Sequence, residues 1–391
     1  MAPTAATSRL HLGNLYSWTL ADAYKRATAL RQEEVLLRES WNCYSQRLQE
    51  EVRTEHPEFN EDELTAECRK RTETNIATAR DIFSRYNFEF DQPQIRDDSL
   101  EYKEIVNSRF LELIKQGKIV DDQLILPPTE RVIEMAQGID WIPKNIWRRF
   151  YGVSSLENVK TMPVFRDGSY GISQDGMRGK VFGQRFVQSL VPHFYNQQGY
   201  QINLGLFGMD VLTKWVYFMI SNSDKKPFDR IALSGLVLDK QGKKVSKYGL
   251  ERVLAMDMLE NPDNIRLFLL RQSFGSDFKV PNDFSIEEKF RRKVYNCLVF
   301  LEKYARISDG EISELPAQAR AASLSISEQI RELNIQDAYN SFYNFIHNKV
   351  SREYIDRIRA KGIRRNELDQ LIGIVRDTAS VFIPLTANSS I

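Results

Sequence analysis

Apolar positions along the chain change period several times, and each change marks an element. Leu20, Ala23, Tyr24, Ala27 and Leu30 recur at i, i+3, i+4, i+7 and i+10, the spacing of a helix that buries one stripe. The Pro, Thr, Ala and Ser of residues 1–14 read as a loop, so this helix is expected to begin just after Gly13-Asn14. The short apolar run Glu34-Val35-Leu36-Leu37 predicts a strand. Loop, helix and strand in that order suggest half of a nucleotide-binding α/β layer. Residues 61–85 are charged and helical. Asp98, with Glu101 three residues on, forms a capping pair for a helix carrying Ile105, Val106, Phe110, Leu113 and Ile114. Gly117 stands where that helix should end. Residues 118–180 are irregular, and strand-like segments return at 231–238 on either side of Gly235.

From about residue 260 the helical period holds almost to the end. Leu368, Leu371, Ile372, Val375, Ala379 and Phe382 form one stripe, and Phe342, Phe345, Ile346 and Val350 another. A helix bundle is the natural package for them. The pattern as a whole predicts an α/β domain, a connecting insertion, the second half of the α/β domain, and then helices.

Composition narrows this little. The 391 residues are 42% hydrophobic and 27% charged, with 54 Lys and Arg against 53 Asp and Glu. Such a balance neither demands nucleic acid nor excludes it, because a basic face can hide in a neutral total. Cys43, Cys68 and Cys297 are far apart, and His11, His56, His193 and His347 do not complete a zinc set with them. The expectation is a reduced, cytoplasmic protein with no structural metal. No apolar run reaches membrane-spanning length, and the first residues lack the basic-then-apolar shape of a signal peptide.

Two segments carry candidate chemistry. Leu10-His11-Leu12-Gly13-Asn14 lies at the start of the first long helix. A helix N-terminus presents free N–H groups and positive dipole charge, which suits a phosphate. A glycine there lets a nucleotide approach the backbone closely, and a histidine can donate to a phosphate oxygen. By itself the segment also reads as an ordinary helix start capped by Asn14. Further on, Lys240, Lys243, Lys244 and Lys247 fall within eight residues of a loop flanked by Gly242 and Gly249. Ammonium groups so placed could neutralise a leaving pyrophosphate, or could be a solvated basic turn.

Taken together and in this order, the two segments resemble the HIGH and KMSKS signatures of class I aminoacyl-tRNA synthetases, in the methionyl, isoleucyl, leucyl and valyl branch. His11-Leu12-Gly13-Asn14 looks like the first and Lys244-Val245-Ser246-Lys247-Tyr248 like the second. Other landmarks follow in family order. Trp41-Asn42-Cys43-Tyr44-Ser45 resembles Trp-Asp-x-His-Gly, and Arg166 to Ile172 resembles a segment ending in Trp-Gly-Ile-Pro. Gly208-Met209-Asp210 resembles Gly-x-Asp, Asn264 to Leu270 resembles the family's Arg-containing helix, and Ser351 to Ile355 resembles part of the anticodon-binding bundle.

The resemblance implies a Rossmann-like (HUP-type) α/β catalytic domain with a parallel sheet, interrupted by a connecting insertion and followed by an all-α helical bundle. Its expected bounds are 1–85 and 181–258 for the two catalytic halves, 86–180 for the insertion and 259–391 for the bundle. It further implies activation of an amino acid with ATP, Mg²⁺ accompanying the nucleotide. His11, Lys244 and Lys247 would be catalytic. Gly13 would pack under adenine, Asn14 would replace the second histidine, Ser246 would shape the loop, and Gly208 and Asp210 would meet the ribose. For Asp210 a helix cap is the plainer alternative.

The amino-acid pocket, Trp41, Asn42 and Tyr44 by the same resemblance, departs from the family. The family's aspartate that pairs with the substrate ammonium is Asn42 here, which removes about 1–2 kcal/mol of charge assistance. Either function is retained despite the change, or the substrate is different: an unusual amino acid, or one whose amino group is not recognised as an ammonium. The stretch 86–180 is too short for a large editing domain of roughly 100–200 residues, and a first strand ahead of residue 10 is expected to be largely missing. The acceptor is open between tRNA, with Arg352, Arg357, Arg359, Arg364 and Arg365 on the bundle, and a small-molecule or peptide amine in a biosynthetic pathway. The alternative class is a non-catalytic synthetase-like RNA-binding or regulatory protein.

Overall fold

A computed structural model describes residues 4–6, 10–127, 129–144, 160–174, 177, 179–211, 215–245, 261–309 and 313–389. In chain order the first elements are β1 (Thr4–Ala5), α1 (Leu12–Ala29), β2 (Ser40–Asn42), α2 (Gln46–Glu55), α3 (Glu61–Arg85), β3 (Ile95–Arg96) and α4 (Leu100–Lys115). Short pieces follow: β4 (Ile119–Val120), β5 (Gln123–Ile125), α5 (Thr129–Gln137), β6 (Asp140–Ile142), β7 (Thr161–Pro163), β8 (Phe165–Asp167) and β9 (Lys180–Phe182). Then come α6 (Gln184–Ser189), α7 (Val191–Gln197), β10 (Ile202–Gly208), α8 (Tyr217–Ser221), β11 (Phe228–Ser234) and β12 (Val237–Leu238). The last stretch holds α9 (Pro262–Leu270), β13 (Phe278–Lys279), α10 (Ser285–Val299), α11 (Leu315–Arg331), α12 (Ile335–Asn344), α13 (Ile355–Lys361), α14 (Arg365–Phe382) and α15 (Pro384–Ala387).

The chain divides into two compact units. The first comprises Met1–Arg9, Arg38–Arg80 and Gln92–Leu236. It contains two three-stranded sheets whose pairings are all parallel, in the orders β1-β2-β3 and β10-β11-β6. Parallel neighbours need crossover connections, and helices supply most of them here. In the second sheet Gly208 faces Ser234 at the C-terminal ends of β10 and β11. Strands β4, β5 and β7 form an antiparallel set within the irregular stretch, and β8 pairs with β9. One apolar cluster, including Trp141, Phe165, Phe182, Phe186, Phe207 and Phe228, fills this unit.

The second unit comprises Leu10–Leu37, Asp81–Asp91 and Val237–Ile391. Helix α1 is buried on most of its circumference rather than on one stripe, because Leu12, Leu15, Trp18, Leu20, Ala23 and Ala27 are all buried. Trp18 packs on Phe83 and Phe90, with ring centroids 5.3 and 5.0 Å apart. The expected stripes of the C-terminal helices face the core. Phe342, Phe345, Ile346 and Val350 are buried, and Phe342 stacks on Phe382 at 4.3 Å. On α14, Ile372 is only half-buried and Ile374 takes the inward place beside Leu371 and Val375.

Three local expectations are corrected. Residues 34–37 are not a strand. Gln32 takes a left-handed φ of 61°, and the Leu37 N–H is met by the Asp91 carboxylate at 2.6 Å, so sheet pairing starts only at Ser40. Residues 1–14 are not all loop. Thr4 and Ala5 pair with Trp41 and Asn42 as β1, so a short first strand is present, and α1 begins at Leu12, before Gly13-Asn14. Helix α4 is capped by Ser99, whose side chain accepts from the Tyr102 N–H at 3.2 Å, while Asp98 turns to Arg96 at 2.8 Å. Gly117 ends α4 as expected, at a φ of 66°.

Candidate active site

In the second unit, α1 opens on a closed turn. His11 is the N-cap in extended backbone, and its Nδ1 accepts the Gly13 N–H at 3.1 Å. Asn14 Oδ1 accepts the His11 N–H at 3.2 Å, which completes a reciprocal capping arrangement. The cap is therefore His11, and Asn14 closes the box behind it. An Nδ1 that accepts fixes the neutral ring as the Nε2–H tautomer, so Nε2 is a donor. A Cβ on Gly13 would lie 2.9 Å from His11 Cε1 and 3.0 Å from Nδ1, so the glycine makes room for the ring. The result is a helix N-terminus with an imidazole donor at its mouth, chemistry that suits a phosphate.

The same unit holds the lysine segment. Strand β12 pairs in parallel with β13. After it the chain turns at 239–243, with Gly242 at a φ of 85°. The Asp239 carboxylate accepts the Lys243 N–H at 2.8 Å, and the Asp239 N–H donates to Lys243 O at 2.7 Å. The chain then returns antiparallel, Lys244 bridging to Leu238 and Val245 N–H donating to Val237 O at 2.8 Å. Val245 is buried and anchors the returning arm. The hairpin is tied to α1 through its neighbour strand, because Tyr16 packs edge-on against Phe278 of β13 at 5.0 Å. His11 and Lys244 thus belong to one packed unit. Ser246 and Lys247 lie outside the described residues.

In the first unit, Gly208 ends β10 and Met209–Val211 form a 3-10 turn. The carboxyl ends of parallel strands are where such sheets take ligands. Gly208 is at that position; the side chain of Asp210 lies outside the described residues.

Also in the first unit, Trp41, Asn42 and Tyr44 come together at the end of β2. Trp41 is fully buried, and its Nε1 donates to Glu39 at 3.3 Å, a carboxylate also bonded by Arg80 at 2.8 Å. The Tyr44 ring meets Tyr170 edge-on at 5.2 Å. Asn42 is wholly buried, and its neighbours orient its amide. Nδ2 donates to Asp97 Oδ2 and to Tyr44 O, each at 3.0 Å, and Oδ1 accepts from Gln184 Nε2. Asp97 also accepts from the Cys43 N–H at 2.7 Å and from Gln188 Nε2 at 2.8 Å. Burial pushes the Asp97 carboxyl up to about 7. The same burial raises the Cys43 thiol and the Tyr44 phenol far above neutrality.

Asp97, Gln184 and Gln188 were not among the sequence candidates. Asp98 reads locally as a helix cap with Glu101, and only the parallel pairing of β2 with β3 brings its neighbour Asp97 beside Asn42. Cys43, Asp97 and Asp98 place ligand atoms within 4.8 Å of one another. They do not suit a metal, because the thiol is held protonated and Asp98 is already paired with Arg96 at 2.8 Å.

Residues 192–281 match the family described as tRNA synthetases class I (I, L, M and V). The valine–tRNA ligase of Ureaplasma parvum is 26% identical over 186 residues, covering 42% of this chain and 21% of that protein. The isoleucine–tRNA ligase of Saccharolobus solfataricus is 24% identical over 194 residues, covering 44% and 20%. The chain thus aligns with about a fifth of the length of these relatives. In fold it is similar to Mycobacterium tuberculosis methionyl-tRNA synthetase bound by methionyl-adenylate, with a TM-score of 0.71 at 14% identity, over 99% of this chain and 91% of that one. The architecture is that of a class I catalytic domain with a Rossmann-like parallel sheet and a helical C-terminal part.

Proposed function

We propose, for a chain that belongs to the class I tRNA synthetase family, that it uses ATP to activate an amino acid as an aminoacyl adenylate and passes it to an acceptor. An oxygen of the amino-acid carboxylate forms a bond to the α-phosphorus, and the bond from that phosphorus to the bridging oxygen of the β-phosphate breaks to release pyrophosphate. The nucleophile is ionised at neutral pH, so no strong base is required. Positioning and charge stabilisation carry the step.

The observation that carries this reading is the α1 turn. The Gly13 N–H fixes the His11 tautomer, which presents a donor at a helix N-terminus in the unit that also holds the Lys244 hairpin. In this reading the His11 Nε2–H donates to a phosphate oxygen, and Lys244 and Lys247 balance charge on the departing pyrophosphate. Gly13 lies beneath adenine, Asn14 fixes the turn, Ser246 shapes the lysine loop, and Gly208 and Asp210 take the ribose. Trp41, Asn42 and Tyr44 form the amino-acid pocket. Mg²⁺ would accompany ATP. Residues 1–85 and 181–258 act as the catalytic halves, 86–180 as the insertion and 259–391 as the acceptor-binding bundle, in the cytoplasm. Among the described residues no helix is long and apolar enough to cross a membrane.

The acceptor is tRNA or a small-molecule or peptide amine. The test is exchange of labelled pyrophosphate into ATP with each of the twenty proteinogenic amino acids in turn. Exchange with one or a few is expected, and adding tRNA or candidate amines then identifies the acceptor. No exchange together with no ATP binding would favour the non-catalytic RNA-binding or regulatory alternative, for which the replacement of an aspartate by Asn42 is the specific observation.

A further inference from the structure

Asn42 is an amide, and a carboxylate, Asp97, is hydrogen-bonded to it. The resemblance places a carboxylate at position 42 to meet the substrate ammonium, and Asn42 is neutral. Yet the first unit does hold a carboxylate there, one strand away. Asp97 is buried, and none of the described Lys or Arg side chains makes a salt bridge to it. Its neighbour Arg96 is committed to Asp98 at 2.8 Å and to Glu73. A buried carboxylate without a cation is costly, so such groups are rare unless something pairs with them.

The neighbouring amides show what is wanted. Asn42 turns its Nδ2 inward to Asp97 and Tyr44 O, which leaves Oδ1 facing Gln184, a half-buried side chain. Gln188 gives its Nε2 to Asp97, and its own Oε1, fully buried, meets no donor. A buried carboxylate with no ion-pair partner among the described residues and an orphaned acceptor in one network fit a cation bearing several N–H groups. A protonated amine is such a group; a hydroxyl or a carbonyl is not.

We propose that Asp97 is the positioning carboxylate of the amino-group subsite: it holds Asn42 with its amide oxygen turned toward the substrate and supplies the negative charge behind it, so that a protonated α-amine replaces the Gln184 amide at Asn42 Oδ1. This rests on the amino-acid-activating reading and adds a positioning residue, Asp97, to it. The groups facing Asp97 are Cys43 and Tyr44 after β2, Arg96 and Asp98 on either side of it, Tyr102 of α4 and Gln188 of α6. The thiol and both phenols are held protonated by burial and Arg96 stays charged, so Asp97 is the group whose ionisation changes near neutrality.

The test is pyrophosphate exchange with the twenty proteinogenic amino acids, and with the α-hydroxy acid analogue of whichever supports it, on wild type, Asp97→Asn and the exchanged pair Asn42→Asp/Asp97→Asn. Asp97→Asn should raise the amino-acid KM at least about tenfold, leave the ATP KM within about twofold, and abolish the preference over the α-hydroxy acid. The exchanged pair should recover both. In wild type, the amino-acid KM should rise as pH falls through about 7. An unchanged amino-acid KM in Asp97→Asn, or a flat wild-type profile between about pH 6 and 8, overturns this proposal and leaves the activation reading standing. If wild type shows no exchange, thermal shift with the same twenty amino acids decides. Stabilisation by an amino acid that its hydroxy analogue lacks, and that Asp97→Asn loses, upholds the subsite while the activation reading falls. No stabilisation by any of them overturns both.

Discussion

At the scale of single residues, the chemistry lies in side chains held by the backbone beside them. The His11 ring is locked by the Gly13 N–H and lies where a Cβ on residue 13 would sit. Gly13→Ala should therefore leave stability within about 1 kcal/mol, because alanine's helix preference and the loss of the His11 cap bond are of similar size and opposite sign, while lowering pyrophosphate exchange roughly tenfold or more by displacing the ring. An unchanged exchange rate would show that the ring position is immaterial. Asp97 makes the opposite trade. Its carboxyl is raised from 3.8 to about 7, so the folded state binds its proton more tightly than the unfolded state. The stability this gives is complete below pH 4 or so and is lost as pH rises through about 7, a difference of order 4 kcal/mol. The Tm of wild type relative to Asp97→Asn should accordingly fall between pH 5 and pH 8, and a rise would contradict the assignment. His11, Asn42 and Tyr44 stand out as candidates in the chain because they lie in local runs with recognisable neighbours. Asp97 does not, because its partner is 55 residues away and is reached only through strand pairing.

At the scale of elements, α1 is the member on which the second unit is built, and one buried charge cluster holds it. Asp22 is fully buried on α1 and pairs with Arg266 of α9 at 2.7 Å and with Arg26 at 2.9 Å. Arg266, itself fully buried, also donates to Val381 O at 3.0 Å and lies over the Phe88 ring at 5.3 Å. It therefore satisfies carbonyls at the end of α14 as well as the carboxylate of α1. Asp22→Asn leaves Arg266 charged in a dry site, and removal of one partner from such a pair costs about 3–5 kcal/mol. Urea unfolding should show a loss of that size, and a loss below about 1 kcal/mol would mean that Arg26 and the carbonyls suffice. The periodicity placed α1, α3, α4 and the C-terminal helices well, because their apolar spacing is long and regular. It failed at 34–37 and in the opening residues, where strands of two or three residues carry too few positions to set a period, and where a side chain, Asp91, takes the place of a ladder partner. The lysine hairpin was legible as a Gly-bearing turn, although the Asp239 side chain that ties its base was not singled out.

At the scale of the molecule, each unit carries part of what the proposed reaction needs. The second holds the α1 turn and the lysine hairpin, tied through Tyr16 and Phe278. The first holds the ends of two parallel sheets and the Asn42–Asp97 network. The α/β architecture with helices after it was readable from motif order, since the landmarks run in sequence along the chain. The substrate was not, because the pocket residues that would identify it in the resemblance are the ones that changed. The central claim is that His11 and Lys244 act on one triphosphate, and calorimetric titration of ATP into wild type, His11→Ala, Lys244→Ala and the double variant tests it most directly. Binding by wild type is expected, each single change should weaken it several-fold, and the double variant should depart from additivity by about 0.5 kcal/mol or more. ATP binding that survives both substitutions undiminished, or fails in wild type, would contradict the account.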